Sequence, residues 1–430
     1  MNEPSKVLVK SHEKALREKQ RIGLIAKIFA YPLYCLASRI NAQCFDALAN
    51  RLPVRTLGLN WRAVLMSISF QQRLSLMCRG RFSALLVQKL ICSPYQPQHS
   101  KAVVSRMHFV GLKDCEATCV STLKWHHCGG IRSVAFHPSA PYLATGSDDN
   151  TVKLMRLNAD CSGATCVSTL QGHSRSVRSV AFHPSAPYLA TSSIDNTIKL
   201  WQLNADCSAP TCLSTLQGHK GFVFSVAFHP SAPYLVTGSW DNTTKLWLMN
   251  KDYTVMRRVY TLHGHSDSVK SVAFHPSAPY LATGSSDNTA KIWRLNADCS
   301  AATCVYTLQG HGDCVNSVAF HPSAPYLATG SDDNTAKLWL LSEKAATCVC
   351  TLQGHSFWVN SVAFHPSAPY LVTGSSDGTS KLWLLHLDCK SVTCVYTMQG
   401  HGGSVYSVAF HPSAPYLVTG SDDNTAKLWR

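Results

Sequence analysis

Three residue types able to relay a proton, His, Thr and Asp, recur along this chain in a fixed order, followed by a Trp. In one copy they are His173, Thr191, Asp195 and Trp201; in the next, His219, Thr237, Asp241 and Trp247. An imidazole between a hydroxyl and a carboxylate has the composition of a nucleophile relay, although such relays are recognised by geometry. The number of copies argues for framework instead, since a reaction needs one such site. A buried imidazole or carboxylate without partners costs on the order of a few kcal/mol, and here each group supplies the other's partner.

Cysteines offer a second chemistry. They recur as Cys161/Cys166, Cys207/Cys212, Cys299/Cys304 and Cys389/Cys394, as in the stretch LNADCSGATC. A structural zinc site needs four ligands, commonly two close pairs brought together. Each pair here stands alone in its unit, with no adjacent His. A local disulfide fits the spacing but is disfavoured in a reducing compartment, so free thiols are expected. The chain has no phosphate-binding loop, HExxH or GxSxG. No catalysis, metal or cofactor is therefore expected.

The elements that carry these residues are written as a repeat. The heptapeptide HPSAPYL begins at His137, His183, His229, His275, His321, His365 and His411, at intervals of 46, 46, 46, 46, 44 and 46 residues. A period in the forties marks an array whose units bury their apolar faces against one another. Each unit holds four short apolar runs between turn signals; in the second they are Cys166–Leu170, Val177–Phe182, Tyr188–Ser192 and Thr197–Leu203. The sequence Ile194-Asp195-Asn196-Thr197 reads as a tight turn whose Asn sits where positive φ is needed. Gly378 stands at the equivalent place in the sixth unit.

Four strands per unit of this length resemble the WD40 repeat family. The resemblance rests on Gly-His at 172–173, 218–219, 264–265, 310–311, 354–355 and 400–401, with His126-His127 in the first unit. It also rests on Asp149, Asp195, Asp241, Asp287, Asp333, Asp377 and Asp423 before the turn. Trp201, Trp247, Trp293, Trp339, Trp383 and Trp429 close the third strand, with Met155 in the first unit. The Asp that usually follows the Trp is missing from every copy. The resemblance covers residues 115–430. It implies an all-β, seven-bladed propeller in which His, Thr, Asp and Trp form a hydrogen-bonded network within each blade. That network should be weaker in the first unit, because Met155 has no indole N–H. The segment Cys119–Leu123 reads like a fourth strand and is expected to complete the blade that ends at Arg430, closing the ring.

If the framework is copied, function lies where the copies differ. One variable set is Gly130/Arg132, Ser176/Arg178, Phe222/Phe224, Ser268/Lys270, Cys314/Asn316, Trp358/Asn360 and Ser404/Tyr406. The other is Asp148, Ile194, Trp240, Ser286, Asp332, Ser376 and Asp422. Both fall in loops that share one propeller face. Phe222, Phe224 and Trp240 coincide in the third unit, and Phe357, Trp358 and Tyr406 add further rings. These aromatics are expected to be exposed, and with flanking cations they form a candidate binding surface for a protein or peptide. Arg132, Arg175, Arg178 and Lys220 are expected to form a basic arc beside them, suited to an acidic or phosphorylated peptide.

The first 114 residues are a different text. The chain of 430 residues carries a formal charge of +15, with 45% apolar and 15% charged residues. Residues 1–114 hold 18 Lys/Arg and 5 Asp/Glu, whereas residues 115–430 hold 21 and 19. Leu36, Ile40, Cys44, Leu48 and Leu52 share a helical spacing, and further helical patterns follow Asn60 and Arg81. Residues 93–100 read as a linker. The stretch from Leu52-Pro53 to RLSLMCRGRF (Arg73–Phe82) resembles an F-box, without its usual acidic residue. That resemblance implies a substrate receptor of a cullin-type ubiquitin ligase, with an adaptor as partner. A basic segment lying on an acidic membrane or on nucleic acid is the other alternative, and a plain helical cap the simplest. No secretory signal or membrane span is read in the chain, so a cytoplasmic location is expected, with the nucleus as the alternative.

Overall fold

The computed structural model describes residues 117–124, 129–159, 162–250, 256–296, 299–386 and 391–430. The helical, linker and F-box-like readings of residues 1–114 fall outside this range, as do His126-His127, Cys161 and Cys389. The described residues form 28 β-strands in seven four-stranded antiparallel sheets. Their innermost strands neighbour one another cyclically, so the sheets are the blades of a seven-bladed propeller.

Blade 2 shows the plan. Strand a is β6 (Val177–Phe182), b is β7 (Tyr188–Ser193), c is β8 (Ile198–Gln202) and d is β9 (Thr211–Leu216). Blade 3 follows with β10 (Val223–Phe228), β11 (Tyr234–Ser239), β12 (Thr244–Met249) and β13 (Met256–Leu262). The ring closes in blade 7, where β26 (Val405–Phe410), β27 (Leu417–Ser421) and β28 (Ala426–Trp429) are joined by β1 (Cys119–Leu123). Thr118 and Arg430 exchange two backbone hydrogen bonds of 3.0 Å at this seam.

The b–c turns adopt the expected conformation. Asn150, Asn196, Asn242, Asn288, Asn334 and Asn424 have φ between 64° and 70°, and Gly378 has φ 80°. Only residues that tolerate the left-handed region end these hairpins cheaply.

The core lies between blades. Ala190 and Leu200 of blade 2 pack with Val223, Val226 and Leu235 of blade 3, and the pattern recurs around the ring. Strand b is therefore buried on both sides; all six residues of β7 are buried. Its fifth residue is Gly in six blades because the next blade is so close. A Cβ on Gly238 would stand 2.8 Å from Val269 Cγ1 and 3.0 Å from Val272 Cγ1. Blade 2 has Ser192 there, and its buried hydroxyl has no hydrogen-bond partner.

Two polar devices reinforce these junctions. The Oγ of Ser133 accepts the amide of Val180 in the next blade at 3.1 Å, and the same bond joins each blade to the next, ending with Ser407 and Val134 at 3.1 Å. Each strand a thus hands one of its unpaired edge amides to its neighbour. The His of HPSAPYL supplies the second device. Nδ1 of His137 accepts the amides of Ser139 and Ala140, while its ring meets Phe182 of the next blade edge-on at 5.0 Å. Its six counterparts, including His321 against Phe364, make the equivalent ring contact.

Candidate functional site

The recurrent His, Thr, Asp and Trp meet at one end of each blade. In blade 2, Trp201 Nε1 donates to Thr191 Oγ1 at 3.0 Å, which leaves the Thr191 hydroxyl to donate to His173 Nε2 at 2.8 Å. His173 must then carry its proton on Nδ1 and donate it to Asp195 Oδ2 at 2.8 Å. Asp195 also accepts the Ser174 amide and both donors of Thr197. Blade 3 repeats the relay through Trp247, Thr237, His219 and Asp241. Burial alone would raise these carboxyls, but the bonds from His and Thr outweigh it and hold Asp195 and Asp241 well below the ordinary carboxylate range. Thr191 and Thr237 are fully buried, and each hydroxyl is spent in both directions. Neither can meet a substrate, so the arrangement ties the d–a loop to strands b and c. In blade 1, Met155 fills the Trp position, buried, and Asp149 still accepts both donors of Thr151.

The variable residues separate into two groups that the sequence reading had placed on one surface. Strand a begins with a register shift: Val223 pairs with Ser239 but Ser225 with Gly238, leaving Phe224 as an extra residue. Such a bulge re-aims its side chain. The same shift occurs at Arg132, Arg178, Lys270, Asn316, Asn360 and Tyr406. All seven stand on the innermost strands, which ring the central channel, and charged members act on one another across blades that are not adjacent. Arg178 of blade 2 feels Tyr406 and Asp422 of blade 7, and Lys270 of blade 4 feels Arg178. The Arg132 guanidinium lies 3.9 Å over the Tyr406 ring and pairs with Asp148, Nε to Oδ2 at 2.6 Å. Lys270 Nζ lies 4.2 Å over Phe224. Asn360 donates to the Val405 carbonyl at 2.9 Å. Burial, then the nearby Arg132, lowers the Arg178 guanidinium, and its Nε has no hydrogen-bond partner.

Three expectations need correcting. Phe224 and Tyr406 are half-buried channel groups covered by cations, not exposed rings. Phe222 is half-buried as well, stacked beneath Trp240 with ring centroids 5.6 Å apart. The basic arc is split: Arg132 and Arg178 turn inward with the bulge, while Arg175 and Lys220 stay in exposed loops. Among the described residues the large exposed apolar side chains are Trp240 at 57%, Phe357 and Trp358 at 46% each, and Val395 at 37%. Three of the four belong to the loops of one face. The d–a and b–c loops share that face because they are bonded together, as in Trp240 N to Phe222 O at 2.8 Å and Asn242 Nδ2 to Ser266 O at 3.1 Å.

The paired cysteines of the c–d side stay apart from this surface, whereas Cys314 lies in a d–a loop of it. Cys207, at φ 55°, is buried in the c–d loop, and burial followed by Asp206 pushes its thiol up to about 11. Cys212 is exposed on strand d opposite Trp201 in register, its thiol donating to the Ser214 carbonyl at 3.8 Å. Asp313, Cys314 and Asp332 present ligand atoms within 4.8 Å of one another. However, Asp313 caps the Cys314 amide and Asp332 accepts from Asn316, so both carboxylates already have protein partners.

The chain matches the family described as WD domain, G-beta repeat seven times, over residues 117–154, 164–202, 210–247, 256–294, 302–339, 346–383 and 392–430. It belongs to the WD40-repeat family. WD40 propellers are typically protein-interaction scaffolds. The comparison with curated proteins gave no match to the chain. Among the described residues no helix is long and apolar enough to cross a membrane.

Proposed function

We propose that this WD40 protein is a non-enzymatic scaffold that binds a protein or peptide across the face carrying the d–a and b–c loops. The observation that carries the reading is the exposed Trp240 stacked on Phe222. The pair stands in the loops where the copies differ, on a framework whose relays are spent internally. An exposed indole supported by a second ring is the composition of a binding hot spot. Phe357 and Trp358 of blade 6 provide a second apolar anchor on that face, and the channel groups Arg178, Lys270 and Tyr406 lie at its centre.

The test is a quantitative capture from cell extract with the full chain, the full chain carrying Trp240→Ala and Phe222→Ala, and the full chain carrying Ser139→Ala in an a–b loop. Proteins retained by wild type and Ser139→Ala but lost from the double variant support the reading. Identical capture by all three overturns it.

A further inference from the structure

Blade 3 differs from the other six in its charge as well as its rings. The second residue of strand c is Lys in every blade. In six of them its Nζ donates to a Thr hydroxyl on strand d, as in Lys199 to Thr215 at 2.9 Å and Lys427 to Thr122 at 2.9 Å. Lys245 of blade 3 faces Thr261 in the same register, yet makes no such bond among the described residues. It is only 5% exposed.

Two further cations stand beside it where other blades have none. Arg258 is opposite Trp247, the place held by Cys in the other six. Its Nη1 lies 3.8 Å from where a Cβ of Gly218 would stand, so the guanidinium reaches back to the Gly-His loop. Lys220 follows His219, where the other copies have Ser, Gly or Cys. The carboxylate at the centre is Asp241, and it is committed. Its Oδ2 accepts from His219 Nδ1 and the Lys220 amide, and its Oδ1 accepts both donors of Thr243. Burial, with the charges of Arg258 and Lys220, lowers the Lys245 ammonium, and Asp241 only partly offsets this. Burial holds the His219 ring below its ordinary value too, which favours the neutral ring, so the charge at the site is set by the three cations and Asp241. A largely covered Lys that lacks the Thr bond of its six counterparts has donors to spare, and an arriving anion would engage them.

We propose that Lys220, Lys245 and Arg258 hold an oxyanion, a phosphoryl or carboxylate group on the peptide that packs against Trp240. The two subsites adjoin through the chain itself: Lys220 precedes Gly221, whose Cβ position lies 3.0 Å from Trp240 Cε3, and Phe222 lies beneath that indole. The peptide's identity as the carrier rests on the function proposed above; the oxyanion site does not.

Two arms keep these apart. In the first, the full chain is acetylated under limiting reagent with and without millimolar inorganic phosphate, and each lysine is followed by mass spectrometry. Phosphate should slow labelling of Lys220 and Lys245 several-fold and leave Lys199 unchanged; equal protection of all three lysines, or of none, overturns the site. In the second, the full chain is screened against a peptide library displaying Ser, phosphoserine or Glu beside an aromatic residue. Arg258→Cys restores the residue of the other blades and should still fold. It should weaken phosphoserine and Glu peptides about tenfold, as expected for losing one charge-assisted contact, and leave the Ser peptides unchanged. Retained preference in Arg258→Cys overturns the oxyanion assignment. Loss of phosphate protection in Arg258→Cys together with peptide binding indifferent to Trp240→Ala keeps the anion site and overturns the peptide as its carrier.

Discussion

The two ends of the inner strands obey different rules. At one end the a–b loop is HPSAPYL seven times over. At the other, the d–a loop keeps its Gly-His and changes almost everything that follows. The a–b loop is fixed because it answers to two blades at once: the His takes two amides of its own loop and lies against a Phe of the next blade, and the Pro141 carbonyl accepts the Leu157 amide from the c–d side. Past its His, the d–a loop is held mainly through backbone groups that any residue supplies, as in the Ser266 amide to Asp287, the Ser266 carbonyl to Asn242 and the Phe222 carbonyl to Trp240. Its remaining side chains carry no bond that recurs in every blade; those of Ser176 to Asp148 and Cys314 to the Ser286 carbonyl are local to their copies. Variation collects where the polar partners are already satisfied without it.

Acid should break the first end with the largest effect. Burial lowers the rings of His137, His183, His229, His275, His321 and His411, with His321 brought to about 4, and their Nδ1 atoms are occupied as acceptors. A folded value below the unfolded one means the stabilisation is complete above about pH 6.5 and is lost as pH falls toward the folded value. His321 alone accounts for about 3 kcal/mol of that loss. Below the ordinary carboxylate value the relay aspartates follow, Asp423 being held down to about 2. Urea midpoints measured from pH 7.5 to 4 should fall throughout, and His321→Asn, which keeps an acceptor but cannot titrate, should flatten the slope.

The relay comes next. Thr237→Val leaves Nε1–H of Trp247 and Nε2 of His219 each without its buried partner, so a loss of about 2–4 kcal/mol is expected in chemical denaturation. A loss under about 1 kcal/mol would mean that water reaches the site. Between blades, Gly238→Ala should cost about 1–3 kcal/mol through overpacking against Val269 and Val272. Ser192→Ala at the equivalent place should instead be neutral or gain up to about 1 kcal/mol, since it removes an unpartnered hydroxyl. Calorimetry on the pair tests whether that position is governed by space alone. The smallest effect belongs to the variable end: Trp240→Ala should alter stability by no more than about 0.5 kcal/mol while abolishing partner capture.

Local features of this architecture were legible in advance. The period, the turn Asn and the Gly378 exception follow from neighbouring residues, and β1 falls on the residues that its likeness to Cys166–Leu170 suggested. Less visible were features that exist only once the ring has formed. Ser133 and Val180 are 47 residues apart in sequence, and neither is unusual by itself. The bulge that sends Arg178, Phe224 and Tyr406 into the channel is likewise silent, because simple alternation counts Phe222 and Phe224 as equivalent. Lys245 was missed for another reason. It is the same residue in every copy, and only its neighbours, Arg258 in place of Cys and Lys220 after the His, set it apart.

The Ser-to-Val bond that joins each blade to the next has the same donor and the same acceptor at every seam, including the one between Ser407 and Val134. A circle built from one repeated joint has no privileged beginning. Its segments are cassettes: exchanging two of them by recombination would reshuffle the variable loops around the rim and leave every joint intact. By the same logic, a circular permutant opened in the c–d connection of another blade would meet no new kind of seam. The uniformity of the sequence thus lets the surface be rearranged without renegotiating the frame.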